Sequence, residues 1–143
     1  MSVKLHYFLG RGLGESQRFA LGAAGAEWED VFVRSRADMV AHLEAKRLKF
    51  EQLPLLEMPD GTTVVQTGAI IRHIGRTYGL YGASDAEAGE IDQLLEGIKD
   101  FGGKCPGWPS PEGRAALDED VAALKSKWLP RYCGAFSHRR LSH

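Results

Sequence analysis

LPLLEMPDGTTVVQTGAIIRHIGRTYG, residues 53–79, decides how this chain folds. Two short apolar runs, LPLLEM at 53–58 and TTVVQ at 62–66, flank Pro59-Asp60-Gly61. Proline presets a turn's φ and glycine supplies the positive φ that closes it, so the segment reads as a β-hairpin. TGAIIRHIGRTYG then follows the helical period. Ile70, Ile71, Ile74 and Tyr78 share one face and Gly79 is the stop.

Upstream, VKLHYF at 3–8 alternates and is rich in β-formers, which predicts a first strand. GRGLGE breaks the chain, ESQRFALGAAG predicts a helix ending near Gly25, and EWEDVFV at 27–33 predicts a second strand. A polar helix is expected over about 37–47. The order β-α-β-α-β-β-α is the thioredoxin-like layout, a mixed four-stranded sheet with helices on its faces.

Beyond Gly82 the pattern becomes all-helical. Ile91, Leu94, Leu95, Ile98 and Phe101 recur at helical spacing, the Gly/Pro-rich stretch GGKCPGWPSPEG (102–113) interrupts, and Leu117, Val121, Leu124 and Trp128 mark a second helix. The expected division is an α/β domain over 1–82 and a short, incomplete all-α domain over 83–143. Helices with one apolar stripe each cannot bury themselves alone and need something to pack against.

Of 143 residues, 43% are hydrophobic and 26% charged, and 18 basic against 19 acidic side chains leave a net charge of -1. That balance provides no electrostatic footprint for nucleic acid and no polybasic anchor for a membrane. No apolar run approaches the roughly 20 residues that span a bilayer. Lys4, His6 and Arg11 interrupt the start, which is too polar for a secretory signal. Cys105 and Cys133 form neither a CxxC nor a metal-ligand spacing, and the five histidines show none either. The expectation is a reduced, cytoplasmic protein without a metal site.

A few positions could carry chemistry. Pro54 opens a strand, either as an ordinary trans proline or as a cis one that turns the Leu53 backbone outward to grip an extended peptide. Gln66-Thr67 stands where a strand gives way to a helix. Thr67 reads as the N-cap, serving either its own helix alone or a carboxylate ligand as well. Tyr7, near the end of the first strand, is either a core tyrosine or a phenol that donates to a thiolate and lowers the thiol's pKa. GRGLG at 10–14 is not a dinucleotide loop, because the third glycine of that motif would fall on Glu15.

Taken together, KLHYF-x2-RG-x2-ES from Lys4, F-x-QLPLLE from Phe50, VQT-x-AI-x-R-x-I from Val65, LYG at 80–82 and ID-x3-EGI-x-D-x-G from Ile91 resemble the tyrosine-type glutathione transferases. The similarity is nearest to the alpha class, with the sigma and pi classes as relatives, and continues loosely through CP, PEG and LPRY-x2-AF. The resemblance implies that Tyr7 stabilises the glutathione thiolate and that Leu53 bonds the cysteinyl backbone beside a cis Pro54. It further implies that Gln52, Gln66 and Thr67 hold the ends of the tripeptide, that Arg11 is a structural contact of its loop, and that Asp100 reaches a partner subunit's glutathione. Where the family has a second arginine near the thiolate, this chain has Leu13. Where many members place a cation for the glycyl carboxylate, it has Leu43, with Lys46, Arg47 or Lys49 as substitutes.

The implied function is glutathione transfer to small hydrophobic electrophiles in detoxification, by a homodimer or a subunit of a larger assembly. The other reading is a weakly active or inactive binding or structural subunit. A glutathione-dependent isomerase or peroxidase would use the same thiol site. Members of that family continue with several more helices, which complete the second domain and supply most of the electrophile pocket; against them this chain, ending at His143, is expected to be a transferase with a truncated helical domain.

Overall fold

The computed structural model of the chain describes residues 2–105 and 121–137. They fall into two compact units that divide after Gly82.

The first unit runs β1 (Val3–Phe8), a 3-10 turn (Gly12–Gly14), α1 (Glu15–Ala23), β2 (Trp28–Val33), α2 (Arg36–Glu44), β3 (Leu55–Glu57), β4 (Thr63–Val65) and α3 (Thr67–Thr77). The four strands lie in the order β2-β1-β3-β4. β1 pairs parallel with β2, Tyr7 opposite Phe32, and antiparallel with β3, Leu5 opposite Leu56. β3 and β4 form the hairpin, whose tip closes through Gly61 N donating to the Met58 carbonyl at 2.9 Å. Asp60 Oδ1 braces the turn by accepting from Thr62 N at 2.8 Å.

Two apolar clusters hold the sheet. Val3, Leu5, Leu21, Leu56, Ile70 and Ile74 form one, drawn from β1, β3, α1 and α3. Val33, Leu48, Leu53 and Leu55 form the other, joined by the partly buried Tyr7, Met39, Leu43 and Val65. Each fully buried leucine or isoleucine contributes about 1.5–3 kcal/mol relative to exposure.

α2 is built differently. Ser35 Oγ accepts from Asp38 N at 3.1 Å while Asp38 Oδ2 accepts from Ser35 N at 2.9 Å, a reciprocal capping box. The helix ends at Glu44, short of the expected 47, because Lys46 takes φ +53 and the chain reverses. Lys46 N bonds the Leu43 carbonyl at 2.9 Å and Arg47 N the His42 carbonyl at 3.1 Å, a Schellman close. No residue of α2 is fully buried.

In the second unit α4 spans Asp85–Gly102, capped by Ser84 Oγ, which accepts from Glu87 N at 3.3 Å. A π-type segment, Leu124–Trp128, leads into α5, Leu129–Ser137. The helix therefore runs on through Pro130 to Ser137, past Trp128, the last apolar position that marks it in the sequence. Proline lacks an N–H and its ring crowds the carbonyl four residues back, and a π-type widening immediately before it relieves that clash. Leu117 and most of the Gly/Pro-rich stretch lie outside the described residues. α4 and α5 meet through Phe101 and Tyr132, ring centroids 5.2 Å apart, and Tyr132 donates to Asp100 Oδ2.

Candidate functional site

Tyr7, the last residue but one of β1, is half-buried beneath the Gly10–Gly14 loop. The loop touches its ring so closely that only glycine fits. A Cβ on Gly14 would stand 2.7 Å from Tyr7 Cδ1, and one on Gly12 2.7 Å from the hydroxyl, with Gly12 already at φ +42. The glycines dismissed as a nucleotide loop are the cover of the phenol. Leu13 N donates to Tyr7 Oη at 3.0 Å, so the hydroxyl is held from behind and its own proton is free to point outward.

Two neighbours on α1 fix that loop. Arg18 donates from Nε to Asp30 Oδ1 at 2.8 Å, and from Nη1 to the Gly10 carbonyl at 3.1 Å and Glu15 Oε2 at 2.9 Å. It thereby ties the loop to β2. Gln17 is fully buried, and with its amide turned so that the nitrogen faces the loop it donates to the carbonyls of Leu13 and, at 3.1 Å, Gly14. Sequence reasoning missed both residues. A Gln-Arg pair in the first turns of an amphipathic helix reads as its polar face, and only the tertiary partners reveal otherwise. Arg11, the expected loop contact, lies instead almost wholly in solvent, 3.9 Å from Glu15. Arg18 holds the loop in its place.

The Leu53-Pro54 peptide is cis, and both residues are buried at the entrance to β3, with Gln52 exposed beside them. Gln66 has φ +73 and is itself the cap residue of α3, exposed and without a side-chain cap bond. This corrects the expectation for Thr67. The kink at Gln66 places Thr67 already inside the helix, as its first residue, leaving the α3 N-terminus without a side-chain cap. Backbone N–H groups of such a terminus suit a carboxylate.

Lys46 is exposed, and Arg47 donates to Glu57 Oε2, which also receives His6 Nε2 at 3.0 Å. Burial disfavours the charged form of Glu57, but the bonds from Arg47 and His6 outweigh it and hold the carboxyl below its ordinary range. In the second unit Asp100 accepts from Tyr132 and lies 3.9 Å from Lys104 Nζ. Its carboxylate pushes the Tyr132 phenol above its ordinary value.

Among the described residues no helix is long and apolar enough to cross a membrane, and no group of three or more His, Cys, Asp or Glu is placed to hold a metal.

The family profile "Glutathione S-transferase, N-terminal domain" matches residues 3–76. Human glutathione S-transferase A1 is 40% identical over 98% of this chain and 62% of its own length. The chain thus spans about three fifths of the curated relatives it matches. The solved glutathione S-transferase of Ascaris lumbricoides superposes with TM-score 0.74 at 33% identity, over 92% of this chain and 66% of that one. Prostaglandin synthase D of Nilaparvata lugens superposes with TM-score 0.72 at 30% identity, over 95% and 66%. The profile, the alpha-class similarity and a glycine-covered tyrosine at the end of the first strand agree: this chain belongs to the glutathione S-transferase family.

Proposed function

We propose that this chain binds glutathione and activates its thiol for attack on a small hydrophobic electrophile in the cytoplasm. The observation that carries the reading is the Tyr7 hydroxyl, which accepts the Leu13 amide and keeps its proton for a ligand. A thiol is a weak nucleophile until it ionises, and a positioned donor makes the thiolate available near neutral pH. The thiolate sulfur then forms a bond to the electrophilic carbon as a leaving group departs with its electron pair, or as the π electrons of a polarised double bond shift away from that carbon, and the thiol proton passes to solvent. Leu53, beside the cis peptide, would pair with the cysteinyl backbone. Gln52, Gln66, Thr67 and the open α3 terminus would take the ends of the tripeptide, with Lys46 or Arg47 near the glycyl end. Arg47 would come already engaged with Glu57. Asp100 would act from a partner subunit in a homodimer.

Leu13 favours a second reading, a glutathione-binding subunit of low activity. Its side chain, 59% exposed, brings no cation to the thiolate. The prostaglandin synthase likeness keeps an isomerase within the same thiol chemistry.

Tyr7→Phe decides between activation and mere binding. The variant should retain glutathione affinity while conjugation falls by about 10²–10³-fold, the usual cost of losing one preorganised donor to an anion. Ultraviolet titration of the bound thiol should show its pKa rise in the variant. An unchanged thiol pKa removes Tyr7 from the mechanism, and binding without conjugation in the unmutated chain supports the second reading.

A further inference from the structure

We infer that α2 is fastened to the sheet by a histidine latch, His6 of β1 against His42 of α2, which opens when these imidazoles gain protons. His6 is 4% exposed, and the two rings meet edge to face, centroids 5.1 Å apart and planes at 86°. His6 Nε2 is turned to Glu57, and a carboxylate only accepts, so Nε2 carries the proton of the neutral ring. Nδ1 is buried and has no hydrogen-bond partner. A second proton on His6 must go to Nδ1, where nothing accepts it.

The charges around the pair do not relieve this. Glu57 faces it from β3 but is shared with Arg47, the guanidinium that faces it from the turn after α2. On α2 itself Asp38 is the one acid facing His42, and its Oδ2 is engaged by the amides of Arg34 and Ser35. Each new positive charge therefore meets the other imidazole and Arg47 at close range. Desolvation first, and Arg47 with it, holds both histidines below their ordinary 6.5, so both are neutral near pH 7.

Little else secures the helix. Met39 and Leu43 are partly buried against the second cluster. A cleft of about 390 Å³, lined in part by His6, Val31, Val33, His42 and Arg47, runs along the seam and leaves room for the helix to shift. Folded-state pKa values below the unfolded value mean that the unfolded segment binds more protons. Docking is therefore at full strength above about pH 6.5, the unfolded value, and weakens as the pH falls below it through the lower folded-state values.

Amide hydrogen exchange on the whole chain at about pH 7.5 and about pH 5.5 tests the latch, with rates corrected for intrinsic exchange. Protection of the α2 amides should fall by on the order of tenfold at the lower pH, while those of Ile70 and Ile74 in α3 hold. His42→Gln should diminish that drop, leaving the part that His6 carries, and His42→Phe should do so while keeping the ring contact. Equal loss in α2 and α3, no loss in α2, or a drop that survives undiminished in both variants would overturn the proposal.

Discussion

A side chain's usefulness here depends on what is absent beside it. Tyr7 can present its hydroxyl because Gly12 and Gly14 carry no Cβ, and because Arg18 and Gln17 hold the glycines in place. Gly14→Ala should therefore damage the site in a specific way. Its methyl would stand 2.7 and 2.8 Å from Tyr7 Cδ1 and Cγ, a clash that a ring fixed to its strand cannot escape. Overpacking of this kind costs about 1–3 kcal/mol. Urea unfolding should show that loss, and the bound thiol's pKa should rise as the hydroxyl is displaced. A variant of unchanged stability with a normal thiol would mean that the loop yields freely.

Among the elements, α2 closes with Lys46 at φ +53, a conformation that suits glycine and strains other residues by about 1–2 kcal/mol. Lys46→Gly should raise unfolding stability by up to about 1 kcal/mol, the remainder being offset by glycine's greater freedom in the unfolded chain. If Lys46 also serves the glycyl carboxylate, glutathione affinity should drop in the same variant. Calorimetry separates the two effects, and a less stable variant would refute the strain argument. The same helix shows what was legible from sequence. The 53–79 hairpin and α3 could be read because turn chemistry and apolar period are local properties. The end of α2 could not, since a lysine in a left-handed conformation looks like any lysine. Thr67 as a cap failed for a similar reason: hydroxyl chemistry was visible, but the Gln66 kink was not. The roles of Arg18 and Gln17 depend on partners in β2 and the loop that no helical pattern announces.

At the scale of the whole molecule, burial is uneven. Among the described residues none beyond Tyr81 is fully buried, and Ile98 of α4 is 56% exposed. The proposed homodimer would cover such surface, and Asp100 would reach a neighbour's ligand only from within it. Closed two-fold dimers are the commonest oligomers. Sedimentation at micromolar concentration should give a dimer, and a monodisperse monomer that binds no hydrophobic dye would refute the assembly. The uneven burial also bears on how the protein is made. β1 is synthesised early yet lies inside the sheet, and its antiparallel partner β3 begins only at Leu55. Both apolar clusters are complete once Ile74 and Tyr78 have been added. On the ribosome the nascent chain must wait, unfinished, for most of its first unit. It can then close the whole sheet cooperatively, before the helices that follow have left the exit tunnel.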